Sequence, residues 1–323
     1  MRHPVLCIVG PTASGKTDLA LRLADRLPVS LISLDSTMIY RAMDIGTAKP
    51  DAQTLKKYPH ALVDIRNPDE SYSVGEFVRE VRAEIEHAHA LGKLPLLVGG
   101  SLMYYNALSH GLSELPEGEA SIRQKILNEG ELLGWPVLHE RLKAIDPKAY
   151  ARIKPHDKQR IVRALEVFLQ TGKSLSSFWE APRTPVFAAY QMLSIALIPP
   201  ARAMLHQKIA LRARILLDAG LLEEVKKIIT QWPRAESMPS MRAVGYRQSL
   251  DFLKGKLDSQ EALLESIIIA TRQLAKHQLT WLRKFQGVQE MDCTQPNLDK
   301  TVMDFILARN LLNSGASQKG HVT

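Results

Sequence analysis

Gly10, Pro11, Thr12, Ala13, Ser14, Gly15, Lys16 and Thr17 spell a complete phosphate loop, G-x-x-x-x-G-K-T, directly after the apolar run at residues 5–9. A buried strand before it and a helix starting near Thr17 give the motif its expected setting. Gly10 and Gly15 let the backbone turn so that its N–H groups converge on an anion, and the helix N-terminus adds its positive end. In that arrangement Lys16 reaches the outer phosphate oxygens and Thr17 holds Mg²⁺. The loop therefore predicts a phosphorylated ligand. Which ligand it is must come from the rest of the chain, because any diphosphate presents much the same oxygens.

Asp35 follows a second apolar run at 30–34. A carboxylate there could bind Mg²⁺, hold a substrate or take a proton, and Asp35-Ser36 could equally cap a helix. A further run at 94–98 ends in Gly99-Gly100-Ser101, where an ordinary phosphate-loop NTPase usually carries a metal-holding aspartate. Asp64 is the remaining candidate for that acid, although Ile65-Arg66-Asn67-Pro68 after it makes no obvious site. A simple NTPase is disfavoured.

Basic residues gather in three places. Arg160 and Arg163 share a helix face opposite Ile161 and Leu165. Arg242 and Arg247 flank Gly245 and Tyr246, a mixture that grips phosphates and stacks a base, or else buries the tyrosine beside solvated arginines. Arg272, Lys276 and Arg283 fall within about 40° of one another on a helix. With a net charge of +8 on 323 residues, the three clusters favour RNA as partner over a generally basic surface.

Strands expected at 5–9, 30–34, 61–65 and 94–98, with a helix at 75–91 carrying Phe77, Val81 and Ile85 on one face, imply an α/β fold. Its parallel sheet is covered by helices on both faces and binds ligands at the carboxyl ends of the strands. The Pro/Gly-rich stretch at 113–119 marks a boundary. Beyond it a helical insertion is expected at 117–185, with Ser121 and Asp157 as caps and Gly172 as a stop. A return strand at 192–198 and helices at 201–219, 221–230, 241–254 and 259–285 complete the reading. The last carries Leu263, Ile267, Ala270, Leu274, Trp281 and Phe285 on its apolar face. The phosphate-loop domain thus comprises 1–116 and 186–312, and 313–323 has the composition of a disordered tail.

Two cysteines exclude a disulfide framework, and Cys7 inside the first strand reads as a small buried apolar residue. No signal peptide and no membrane-length apolar run are recognisable, so a soluble cytoplasmic protein, a monomer, is expected.

Taken together, the phosphate loop, Asp35-Ser36, the segment from Tyr40 to Pro50 (YRAMDIGTAKP), Gly99-Gly100-Ser101, the stretch Asp157 to Glu166, Met241 to Gln248, and Thr271-Arg272 with Lys276 and Trp281 resemble the tRNA dimethylallyltransferases. The resemblance runs from the loop to about residue 285, and Asp-Ile-Gly-Thr-Ala-Lys-Pro is its most specific part. It implies transfer of a dimethylallyl group from dimethylallyl diphosphate to N6 of adenosine-37, 3′ of the anticodon, in tRNAs reading codons that begin with U. Gly10 to Thr17 and Arg212 would bind the diphosphate, Mg²⁺ would sit on Thr17, and Asp35, Ser101 and Lys16 would be catalytic, with Asp35 taking the N6 proton. Asp35, Ser36, Thr37, Met38, Ser101, Arg123, Gln159, Arg160, Ile161, Val162, Arg163, Arg242, Ala243, Val244, Gly245, Tyr246 and Arg247 would line the tRNA path. The insertion would clamp the anticodon stem.

Met38 stands where many members have Gln, Ser101 replaces Thr, and His277 replaces a common Arg. None of these removes a catalytic group. Competing readings are prenylation of free AMP or ADP, a small-molecule kinase, and a non-catalytic RNA binder.

Overall fold

The computed structural model describes residues 2–113, 115–180 and 183–309. The expected disordered tail, 313–323, lies outside them. The chain forms two compact units, one of residues 1–109 with 185–323 and the other of residues 110–184.

The first unit is built on a six-stranded sheet. Its strands are β1 (Pro4–Val9), β2 (Val29–Ser33), β3 (His60–Ala61), β4 (Leu94–Gly99), β5 (Gln191–Ile198) and β6 (Val288–Asp292). They lie in the order β3-β2-β4-β1-β5-β6, and every neighbouring pair is parallel. All six residues of β1 are buried, as a central parallel strand requires. Alternation along it feeds two cores. Val5, Cys7 and Val9 meet Phe77, Val81 and Ile85 of the helix Val74–Ala90 on one face. Leu6 and Ile8 meet Leu19 and Leu23 of the helix Lys16–Ala24, and Leu298, Val302 and Ile306 of the helix Leu298–Leu307, on the other. A reciprocal capping box between Ser73 and Glu76 fixes the start of Val74–Ala90.

A third core in this unit belongs to the helices Arg202–Asp218, Leu221–Gln231, Tyr246–Leu253 and Gln260–Leu282. It also buries Ile39, Tyr40 and Met43 from the segment after β2. No helix among the described residues is long and apolar enough to cross a membrane.

The second unit is helical: Ala120–Leu133, Trp135–Ile145, Pro147–Arg152, Lys158–Thr171 and Leu175–Glu180. Ile126, Leu138, Leu142, Ile161, Val162 and Leu165 fill its core. Asp157 caps Lys158–Thr171 by accepting the Arg160 amide, and Gly172 closes it in the left-handed region at φ 69°.

Several elements differ from the expectation, each for a local reason. The strand expected at 61–65 shrinks to His60–Ala61, because Leu62 and Asp64 take positive φ (63° and 57°) and curl the chain. The amides of Asp64 and Ile65 then bond to the Met38 and Ile39 carbonyls. The helix expected at 241–254 starts only at Tyr246, since Gly245 at φ 94° breaks it from a 3₁₀ turn at Pro239–Arg242. Ser121 is not a cap: Ala120–Leu133 begins one residue earlier, behind Glu119. Leu274 and Trp281 remain exposed on Gln260–Leu282 instead of joining its buried stripe. β6 and the helices Ala52–Lys57, Leu102–His110 and Leu298–Leu307 are additional.

Candidate active site

Because all the strands run the same way, the loops after β1, β2 and β4 share one rim of the sheet. A cavity of about 660 Å³ opens there. Thr12, Ala13, Ser14, Gly15, Lys16 and Thr17 form one side of it, Asp35, Thr37 and Met38 another, and Arg212 comes from Arg202–Asp218.

The phosphate loop is shaped as an anion cradle. Ala13 and Gly15 both take positive φ, 62° and 80°, and such reversals turn successive amides inward. Lys16 Nζ donates to the Pro11 carbonyl at 2.7 Å. Burial pushes the Lys16 ammonium down to about 8, with nearby Asp35 opposing that shift and Arg212 reinforcing it. Burial also lowers Arg212 from its ordinary value, again opposed by Asp35. Lys16 and Arg212 are thus two desolvated cations only partly offset by Asp35, and an anion bound between them would relieve both.

Asp35 is oriented by its own turn. Its Oδ1 accepts the Thr37 amide at 2.8 Å and the Thr37 hydroxyl at 2.6 Å. Among the described residues no hydrogen bond falls on Oδ2, so this oxygen is available on the cavity wall. Ser101 does not line the cavity but braces it: its Oγ accepts the Ser36 amide at 2.8 Å and donates to Ser36 Oγ at 3.0 Å.

Of the other expected contact residues in this unit, Ala243, Val244, Gly245 and Tyr246 line the cavity, while Arg242 and Arg247 are exposed outside it. Tyr246 is fully buried and donates its hydroxyl to Glu224 at 2.6 Å, so it cannot stack a base. Asp64 does not line the cavity. It pairs with Lys49 Nζ at 2.6 Å, and the same ammonium, almost wholly buried, also bonds Asp44 at 2.6 Å and the Tyr40 carbonyl at 2.9 Å. The distinctive Asp-Ile-Gly-Thr-Ala-Lys-Pro segment is therefore held by its own lysine.

Two residues that the sequence did not single out also shape the site. Buried Glu224 accepts the amides of Asp44, Ile45 and Gly46 at 2.7–3.1 Å and so fixes the wall formed by Gly46, Thr47 and Ala48. Arg212 donates weakly to the Thr47 carbonyl of that wall at 3.4 Å. Gln278 lines the cavity from Gln260–Leu282. Its signal was readable: it is a polar residue at helical spacing within the buried series Leu263, Ile267, Ala270, Ala275 and Leu282.

In the second unit, Glu166 is completely buried and pairs with Arg123 at 3.1 Å and Arg163 at 2.9 Å. Arg163 also donates to the Pro116 carbonyl at 2.7 Å. Gln159 and Arg160 project into solvent, whereas Ile161 and Val162 point into the unit's core and offer no side chain to a ligand.

Comparison with known proteins identifies the family. Residues 38–285 match the family model described as IPP transferase. The chain is 45% identical over 318 residues to tRNA dimethylallyltransferase 2 of Hahella chejuensis, covering 95% of this chain and 96% of that one. It is 49% identical over 285 residues to the tRNA dimethylallyltransferase of Alkalilimnicola ehrlichii, covering 88% and 89%. Among solved structures, the full-length tRNA isopentenylpyrophosphate transferase of Bacillus halodurans superposes with a TM-score of 0.69 at 34% identity, over 99% of this chain and 100% of that one. A eukaryotic dimethylallyltransferase acting on tRNA gives 0.80 at 25% identity, over 98% and 81%. Family model, near-full-length relatives and fold agree: the chain belongs to the tRNA dimethylallyltransferase family.

Proposed function

We propose that this protein prenylates tRNA, moving a dimethylallyl group from dimethylallyl diphosphate to N6 of adenosine-37 in tRNAs that read codons beginning with U. The observation that carries this reading is the convergence of a phosphate-loop cradle and the Asp35 carboxylate on one cavity, in a chain of this family. An RNA-binding protein needs neither, and a kinase, which also sets a carboxylate beside its cradle, is disfavoured by the family.

The chemistry follows from the residues. The N6 lone pair is delocalised into the adenine ring, so the amine is a weak nucleophile. As N6 forms its bond to C1 of the allyl group, Asp35 accepts an N6 proton, a role that contributes about 10²–10⁴-fold. The C1–O bond breaks and its electron pair leaves with the diphosphate. The loop amides, Lys16 and Arg212 meet the charge that develops there, and removing one such donor costs about 3–4 kcal/mol. Ser101 acts by holding the Asp35–Ser36 turn.

Mg²⁺ suits the donors present, since the Thr17 hydroxyl on the cavity wall is a hard oxygen beside the diphosphate cradle. Thr17 would hold it, and bound Mg²⁺ would neutralise diphosphate charge.

The base must leave the anticodon loop to reach Asp35, which costs less there than in a duplex. Thr37, Met38, Ala243 and Val244 would border the entering nucleotide, and Arg242 and Arg247 would meet phosphates at the rim. The helical unit would grip the anticodon stem through Arg160, Arg123 and Gln159. An enzyme with tRNA as its substrate would work in the cytoplasm, here as a monomer.

The test is transfer of label from dimethylallyl diphosphate to unmodified tRNA with Mg²⁺. Label that disappears when adenosine-37 is replaced supports the reading. Label on AMP instead points to a soluble-nucleotide enzyme. Phosphate released from ATP, with no prenyl transfer, overturns the reading in favour of a kinase.

A further inference from the structure

Gln278 touches both halves of the active site at once. Its Oε1 accepts the Thr12 amide of the phosphate loop at 2.9 Å, and its Nε2 donates to the Gly100 carbonyl after β4 at 2.9 Å. The orientation of the amide is unambiguous, because a flipped group would set donor against donor and acceptor against acceptor. The side chain is buried, so neither bond is exchanged cheaply for water.

The Gly100 end leads straight to the base. Ser101, the next residue, donates its amide to the Leu34 carbonyl, and its Oγ holds Ser36. Leu34 and Ser36 flank Asp35. The Thr12 end leads to the cradle, two residues before Ser14 and four before Lys16. Two bonds of one amide therefore span the diphosphate side and the proton-accepting side. A Cβ on Gly100 would lie 2.7 Å from Nε2, so a glycine at this position is what lets the amide approach.

We propose that Gln278 is a positioning residue that holds the diphosphate cradle and the Asp35 turn in fixed register. It touches neither reacting atom. The proposal rests on the transfer reaction above, in which C1 must be presented to N6 while Asp35 is in reach of the proton. A misplacement of about 1 Å in such an arrangement costs on the order of 10²-fold in rate. Each half-site on its own would still bind its ligand.

The test uses Gln278→Met, which keeps the length and packing of the side chain but makes neither hydrogen bond. Gly100→Ala is a second, independent probe, because its methyl displaces the amide while leaving Gln278 in place. Both variants are compared with wild type for kcat of label transfer, for pyrophosphate affinity by calorimetry and for tRNA affinity by filter binding. Expected is a fall in kcat of tenfold to a hundredfold in both, with each separate affinity held within about threefold. A kcat within twofold of wild type in either folded variant overturns the proposal. So does a kcat that falls in step with both affinities, which marks a general loss of structure, or with pyrophosphate affinity alone, which makes Gln278 merely part of the cradle. Wild-type enzyme that transfers no label defeats the reaction itself, and this inference with it.

Discussion

Tyr246 donates its hydroxyl to Glu224 over 2.6 Å, and both side chains are buried. Burial, then the adjacent carboxylate, raises the Tyr246 hydroxyl above its ordinary value, so it stays a donor at any physiological pH. Gly46 packs flat against the ring, where a Cβ would collide with Tyr246 Cε2. The Asp-Ile-Gly-Thr-Ala-Lys-Pro segment is thus clamped from both sides: Glu224 and Tyr246 beneath it, Lys49 across it.

Glu224→Ala strips a partner from three amides and a phenol in one step. We expect it to cost about 3–5 kcal/mol of stability, the range for removing one member of a buried charged network. Tyr246→Phe keeps the ring and loses one bond to a charged acceptor, and should cost about 1.5–3 kcal/mol. Urea denaturation checks both, and Glu224→Ala no more harmful than Tyr246→Phe would show that the amides find other partners.

Asp35→Asn retains the shape of the turn but cannot take a proton. Turnover is expected to fall by about 10²–10⁴-fold while tRNA and pyrophosphate bind nearly as before. Single-turnover transfer measured beside both affinities decides it. Near-normal turnover would remove Asp35 from its role.

The pH dependence of anion binding follows from Lys16. Its folded value of about 8 lies below the ordinary 10.5. The fold therefore favours the neutral amine, and the charged form weighs against stability below about pH 8. That penalty is progressively relieved between pH 8 and 10.5. Pyrophosphate needs the charged form, so its affinity should fall by up to about tenfold per pH unit above 8. Lys16→Arg, always charged, should flatten this step. Calorimetry at several pH values on both proteins separates it from the ionisation of pyrophosphate itself.

In the helical unit, Arg160 and Arg163 are expected to part company. Arg160→Ala should lower the slope of log affinity for tRNA against log salt by about 1 while leaving the unit folded. Arg163→Ala leaves buried Glu166 with only Arg123 and should lower the melting temperature before any salt effect is seen. Equal salt slopes for Arg160→Ala and wild type would mean that Arg160 meets no phosphate.

Local features of the fold were legible in the sequence. β1, the phosphate loop, the helix bearing Phe77, Val81 and Ile85, and the Asp157 cap each announce themselves within a few residues. Leu298, Val302 and Ile306 carry an equally local i, i+4 signal for the helix that packs beneath the sheet. The strand expected at 61–65 failed because Lys49 captures Asp64 and the backbone curls at Leu62, and neither is visible from apolar spacing. The cradle and Asp35 were readable as motifs. What Glu224 and Gln278 hold was not, although the helical spacing of Gln278 marked it as buried, since their backbone partners lie 178–180 and 178–266 residues away along the chain. Tyr246 shows the remaining ambiguity: beside two arginines, a buried ring and a base-stacking one look alike in sequence.

The position of β1 has a cost during synthesis. It pairs with β4 on one edge, yet its other neighbour, β5, begins only at Gln191. While the ribosome makes the intervening helices, a wholly apolar strand waits with one row of amides and carbonyls unanswered, an invitation to any other extended chain. Synthesis that stalls or stops before Gln191 should therefore yield a sticky, insoluble fragment, and quality control must reach it before its neighbours do.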